Sequence, residues 1–227
     1  MMRLKGVYVS ILNQYEIHKD NCALIECLSR HDRYRVKIDY PTDKPISNNR
    51  NKIVQKFLAS KDYDFLLMID DDVVPTPNIL DLIDFDKDII TPVMFTRHNK
   101  NVYPLVMDRT LDGKYKNKRP ENIKGLLEVD ATGTGCMAIK REVLEHPDLK
   151  HPFKNHYDAD GIKTTGLDFN FCTRAKKAGF KVWVHGDYVA GHYTLVDLKD
   201  IYEDKILINL LQEKLIDKIS DGTNNNK

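Results

Sequence analysis

Residues 64–72 read Asp-Phe-Leu-Leu-Met-Ile-Asp-Asp-Asp, and no other stretch of this 227-residue chain narrows its fold as much. An unbroken apolar run of this length is too short for an ordinary helix and fits a strand covered on both faces. Carboxylates are costly to bury without partners, so the chain must leave the core where the acids begin.

The flanking segments repeat the rhythm. Gly6 to Leu12 is a β-branched, apolar run and reads as a first buried strand. Residues 20–30 carry Cys22, Ala23, Ile25, Cys27 and Leu28 at mixed helical spacing. Tyr34 to Tyr40 alternates, with Val36 and Ile38 on one face, until Pro41 stops it. Ser47 is placed to cap a helix through Ser60, with Ile53, Val54, Phe57 and Leu58 as its apolar stripe. Strand–helix–strand–helix–strand predicts an α/β domain: a mainly parallel central sheet flanked by helices. Loops at the carboxyl ends of such strands carry function, and Asp70, Asp71 and Asp72 follow one such end.

The second half is less regular. Strands are expected over 88–95, 102–107, 126–129 and 181–185, and a Gly-rich turn at Gly133-Thr134-Gly135 feeds another over 136–139. A helix is expected over 166–178, closed by Gly179. Leu198 to Ile219 reads as an amphipathic helix, with Ile201, Ile208 and Leu215 on one stripe and Leu211 beside it. The division is therefore 1–196 for the main domain and 197–227 for a C-terminal helix and polar tail. That stripe packs on its own domain, makes a homo-oligomer, or, as the minor alternative, lies on a membrane surface.

Lys plus Arg total 35 against 34 Asp plus Glu, so the net charge of +1 gives no global attraction to nucleic acid or anionic membrane. It leaves a local basic patch open. No run is long and apolar enough for a membrane span, and the N-terminal apolar stretch is short for a secretory signal. The four cysteines lie apart, without a CxxC pair, which argues against zinc or a disulfide framework and for a cytoplasmic chain.

Alternation along an extended chain would aim Asp70 and Asp72 to one side, where two carboxylates repel unless a cation sits between them. Hard oxygens suit Mg2+ or Mn2+. A solvated acidic turn before Pro75 and Pro77 is the plainer alternative.

The segment from Arg50 to Ser60 and the run 63–80 (YDFLLMIDDDVVPTPNIL) together resemble the donor-binding half of GT-A glycosyltransferases, particularly glycosyltransferase family 2. The resemblance implies a Rossmann-like GT-A fold, a DxD motif, and a metal ion binding a nucleotide-sugar, a UDP-sugar above all. It implies Asp72 as the direct metal ligand, Asp70 at the ribose or a metal-bound water, and Asp71 toward the sugar. Residues 131–145 (ATGTGCMAIKREVLE) resemble the family's glycine-containing wall of the sugar pocket, and 166–187 its Glu-Asp helix. Asp168 falls on the aspartate of that pair, which makes it the implied catalytic base of an inverting transfer to an acceptor hydroxyl. Leu167 stands where Glu is usual and Asn170 where a second Asp is usual. His192, in Gly-His-Tyr, resembles the histidine that completes the metal site, and His185 is its competitor.

Further candidates rest on position. Asp39, ending the second strand, could accept from a uracil N–H, and Ser10 could flank the same base. Arg50 could reach the diphosphate bidentately. Each has a surface or capping alternative. Gly133, Thr134 and Gly135 are too few for a phosphate-binding loop and suit a close backbone approach to a sugar. Arg97, His98, Lys100, Lys114, Lys116, Lys118 and Arg119 line an acceptor cleft or a solvated loop. Two other functions compete: a nucleotidyltransferase, which would want a Gly-rich, Arg-containing loop where Ser10 to Gln14 stand, and a non-catalytic nucleotide-sugar-binding protein.

Overall fold

The computed structural model describes residues 4–13, 17, 19–98, 101–196, 198–199, 201–205 and 208. Contacts divide the chain into one unit, Met1–His192, and a second, Tyr193–Lys227.

The first unit opens with β1 (Gly6–Leu12), α1 (Lys19–Ser29), β2 (Arg35–Asp39), α2 (Ile46–Ala59) and β3 (Phe65–Asp70). Then come β4 (Val73–Pro75), a 3-10 helix (Ile79–Phe85), β5 (Ile89–Val93) and a hairpin of β6 (Phe95–His98) with β7 (Asn101–Pro104). β8 (Val106–Arg109), β9 (Tyr115–Asn117) and β11 (Ala131–Thr132) form a small sheet, with β10 (Leu126–Val129) between β9 and β11 in the chain. β12 (Cys136–Lys140), α3 (Arg141–Glu145), the hairpin β13 (His156–Tyr157) and β14 (Lys163–Thr165), α4 (Leu167–Lys177) and β15 (Val182–His192) complete it.

The central sheet runs β10-β15-β5-β12-β3-β1-β2, with β4 paired to the far end of β15. β2, β1 and β3 are parallel, β12 is antiparallel to both β3 and β5, and β15 is parallel to β5. Most strands therefore share one direction, against β12, β10 and β4. Strand alternation sorts the core into two layers. Val7, Val9 and Ile11 of β1 with Leu67 and Ile69 of β3 meet Leu24 and Leu28 of α1. Tyr8 and Leu12 with Leu66 and Met68 meet Ile53, Val54 and Phe57 of α2 and Phe171 of α4. Each of these aliphatic side chains contributes about 1.5–3 kcal/mol on burial. This α/β arrangement is compatible with the Rossmann-like GT-A fold expected from the sequence.

Several boundaries differ from expectation for identifiable reasons. α2 begins at Ile46 with Pro45 at its cap position, so Ser47 lies inside the helix and caps nothing. The expected strand over 88–95 ends at Val93, and Phe95 starts the β6–β7 hairpin instead. The one over 102–107 divides at Leu105, whose amide bonds the Met94 carbonyl at 2.8 Å. β15 runs well past His185 because it finds a second partner: after an irregularity between His185 and Val189 it pairs with β4, setting His192 opposite Val73. That pairing carries a histidine to the acidic turn.

In the second unit, residues 198–199, 201–205 and 208 are helical, with Lys199 and Glu203 paired at 3.6 Å. Leu211, Leu215 and Ile219, part of the stripe on which the homo-oligomer reading depends, lie outside the described residues. No helix among the described residues is long and apolar enough to cross a membrane. The cysteines are free, with Cys22 and Cys27 exposed and Cys136 and Cys172 buried; burial pushes the Cys172 thiol up to about 12.

Candidate active site

Asp70 is the last residue of β3, and the chain turns at Asp71 and Asp72 before β4 begins. The turn replaces the extended geometry assumed above, so Asp70 and Asp72 are not placed on one side by strand alternation. Their two carboxylates have separate partners.

Arg50, on α2, reaches under the end of β3. Its Nη2 donates to both carboxylate oxygens of Asp70, at 2.9 and 2.8 Å, and Nη1 donates to Asp168 Oδ1 at 2.9 Å. The Arg50 side chain is only 5% exposed. A guanidinium this committed is not turned toward a diphosphate, and here the expectation for Arg50 and the structure part. Burial opposes its charge, but Asp70 and Asp168 outweigh that and its pKa is raised. Burial pushes the Asp70 carboxyl up; Arg50 pulls it down, and the charges of Asp168 and Asp72 add to the rise.

Asp168 sits in the first turn of α4, where the helix dipole favours an acid. Its Oδ1 also accepts from Thr134 Oγ1 at 2.5 Å. Both bonds fall on one oxygen, Oδ1. Leu167 packs against the apolar core. Asn170 donates from Nδ2 to the Lys154 carbonyl at 2.7 Å, which a carboxylate could not do.

Thr134 is fully buried. Its flanking glycines have protein, not open space, where side chains would project. A Cβ on Gly133 would lie 2.8 Å from Leu105 Cδ1. One on Gly135 would lie 3.0 Å from Val73 Cγ2 and 3.4 Å from Asp70 Oδ2. The Gly135 carbonyl meanwhile accepts from the Asp70 amide at 2.8 Å. Gly135→Ala should therefore destabilise by about 1–3 kcal/mol, the usual cost of overpacking. Thermal unfolding checks this, and an unchanged midpoint would mean that the turn yields freely.

Asp72 faces His192, with Oδ2 and Nε2 3.4 Å apart. The other ring nitrogen, Nδ1, lies 2.6 Å from the Phe95 carbonyl. The hydrogen bond with Asp72 is the main reason that the His192 pKa is pushed up to about 9; Phe95 and the charge of Asp70 add to it, against burial. His185, the rival histidine, is buried between Phe85 and Tyr188, with centroids 4.5 and 4.9 Å away. Among the described residues no three His, Cys, Asp or Glu side chains are grouped closely enough to hold a metal unaided.

Asn21 of α1, which sequence reasoning passed over, holds the turn itself. Its Nδ2 donates to the carbonyls of Asp71 (3.1 Å) and Val73 (3.2 Å), on either side of Asp72. The only hint was a polar residue in a helix that had to face the sheet.

At the neighbouring strand ends, Asp39 Oδ2 accepts from the Tyr8 hydroxyl and from Lys56 Nζ, both at 3.1 Å. Ser10, paired with Asp39 in register, is fully buried and its hydroxyl has no partner, so as placed it does not flank an open base site. Several of the basic residues assigned to a cleft or loop are surface ion pairs: Lys114 with Asp112, Lys118 with Asp108, Arg119 with Glu121. Lys100 lies outside the described residues.

No protein-family model matches this chain, and no curated protein matches it in sequence. Among solved structures it is similar to A197 from STIV, at 20% identity and a TM-score of 0.55, over 85% of this chain and 87% of that one. GalNAc-T7, solved with UDP, GalNAc and Mn2+, aligns at 15% identity and a TM-score of 0.49, over 85% of this chain and 44% of its own. The inositol-1-phosphate CTP transferase from T. maritima aligns at 13% and 0.41, over 90% and 97%. The likeness to A197 speaks for the fold alone, and the two weaker superpositions carry no argument.

Proposed function

We propose that this chain is a metal-dependent glycosyltransferase that moves a sugar from a nucleotide-sugar, a UDP-sugar by the sequence resemblance, to an acceptor hydroxyl with inversion. The observation that carries the reading is the joining of Asp70 and Asp168, remote in sequence, on one buried guanidinium at the carboxyl edge of β3. Asp72 brings a third carboxylate to the same edge, where its charge adds to the rise of the Asp70 carboxyl, and its own partner is His192.

The residues present fit Mn2+ or Mg2+. Asp72 offers a carboxylate oxygen and His192 an imidazole nitrogen, donors that such ions accept. These two donor atoms already stand 3.4 Å apart. A proton on Nδ1 would go to the Phe95 carbonyl, the orientation that metal-bound histidines keep. Asp70 is occupied by Arg50, so Asp72 and His192 are the residues that would hold the ion. When bound, the ion would neutralise the departing nucleoside diphosphate.

Asp168 does the protein's part of the chemistry. Arg50 and Thr134 hold Oδ1, so that Oδ2 can take the proton of the acceptor hydroxyl as its oxygen attacks the anomeric carbon. The bond to the diphosphate breaks on the opposite face, and one displacement inverts the centre.

Asp72→Asn tests the metal. The Asp72–His192 pair is too exposed to matter much for stability, so the fold should persist while Mn2+-dependent binding of UDP is lost. Titration calorimetry with UDP and Mn2+ measures this, and unchanged metal-dependent affinity would sink the assignment. Donor turnover with and without a chelator separates an enzyme from a non-catalytic binder.

A further inference from the structure

α4 has two faces. Asp168, Phe171, Cys172 and Ala175 fall on one side of the helix, the last three of them buried. Asn170, Thr173, Arg174 and Lys177 follow at spacings of three and four residues on the other. This outer face, the β13–β14 hairpin and the β8–β9 turn enclose a groove of about 820 Å³. Arg109, Lys114, Lys154, Arg174 and Lys177 line it, and no carboxylate does among the described residues. A chain with 35 basic and 34 acidic residues does not produce that imbalance through composition.

Some of these cations are already engaged. The Arg174 guanidinium donates to the carbonyls of Asp148, Lys150, His151 and Pro152, and Lys114 pairs with Asp112 at 3.1 Å. Asp130, near one end, pairs with Lys176. Asp158, in the hairpin turn, accepts the amides of Asp160 and Ile162. Lys154 and Lys177 are exposed and have no ion pair among the described residues. Arg109 bonds the Gly113 carbonyl through Nε, lies over the Tyr115 ring and helps hold the Asp130 carboxyl down, but its terminal nitrogens have no hydrogen-bond partner among the described residues. Three positive charges thus remain available along one groove.

The rings in the groove indicate which anion it suits. Tyr157 is 52% exposed beside exposed His156. Tyr115, whose ring carries the Arg109 guanidinium 6.0 Å from its centroid, also lines the groove, held by its hydroxyl 2.5 Å from Thr173 Oγ1 and by Phe169 at 4.9 Å between centroids. Cations that track a backbone, interleaved with aromatic faces on which bases stack, are the means by which single strands are held. A duplex keeps its bases stacked inside, and a purely acidic chain such as poly-glutamate has no ring to stack. We infer that the groove binds single-stranded nucleic acid without regard to sequence. The inference is independent of the transferase reading, because Asp168 lies on the other face of α4.

Fluorescence anisotropy with a labelled oligothymidylate of about twelve nucleotides tests it. Three phosphate contacts give a log–log salt slope near −2, so affinity should fall roughly twentyfold between about 50 and 200 mM salt. K154E/K177E should weaken binding at low salt by about tenfold or more and flatten the slope toward −0.7, the value for one contact. Tyr157→Ala should weaken binding severalfold at unchanged slope. All three side chains are on the surface, so an unchanged thermal midpoint will certify the variants. No binding at low salt, or binding indifferent to K154E/K177E, would overturn the inference. So would a duplex or poly-glutamate that binds as tightly, since the groove would then be reading charge alone.

Discussion

Asp168→Asn should lower turnover by roughly two to four orders of magnitude, the usual worth of a general base, with donor affinity little changed. The substitution is close to a pure loss of basicity. An asparagine carbonyl can still accept from Arg50 Nη1 and Thr134 Oγ1, which both meet Asp168 at Oδ1. The other oxygen becomes an amide nitrogen, which takes no proton. Arg50 keeps its two bonds to Asp70, so the buried guanidinium is not orphaned. Leu167, next in the chain, is packed into the core and supplies no substitute carboxylate. Single-turnover kinetics with a UDP-sugar and Mn2+ would isolate the chemical step. Equal rates in variant and parent would remove Asp168 from the role of base. A product of retained anomeric configuration would overturn the single displacement even if the rate fell.

The parts of this molecule that were legible in sequence are those set by local pattern. Gly6 to Leu12 and the run ending at Asp70 are strands because their apolar residues leave no exposed face, as an unbroken apolar run predicts. What escaped was set by partners far along the chain. β15 extends to His192 only because β4 is there to pair with it, and nothing within 182–192 signals that. Asn21 acts on carbonyls some fifty residues away, and a helix face does not disclose its target. The partners of Arg50 were not legible. A guanidinium suits phosphate and carboxylate alike, and only the placement of α2 beneath β3 decides between them. The glycines around Thr134 show the same ambiguity: close approach was readable, but what approaches is Leu105 on one side and Val73 on the other.

The largest stability change should follow loss of the Arg50 charge. Arg50→Met keeps an unbranched side chain in the same channel but leaves Asp70 and Asp168 facing each other at the end of β3, with Asp72 close by. Removing one partner of a buried pair typically costs about 3–5 kcal/mol, because the remaining charge is neither solvated nor paired. The expected value lies toward the lower end, since the Asp70 side chain is 24% exposed and that of Asp168 36% exposed, so water can partly compensate. The penalty belongs to the stranded carboxylate rather than to lost packing, and a second substitution can establish this. Adding Asp70→Asn to Arg50→Met removes one of the two stranded charges and their mutual repulsion and should recover a large share of the lost stability, although each single change is destabilising. Simple loss of packing would give additive effects. Urea unfolding of the two single variants and the double, at one pH and without metal, measures the coupling directly. A double variant no more stable than Arg50→Met alone would mean that Arg50 supports the fold through its aliphatic stem, not through the carboxylates it joins.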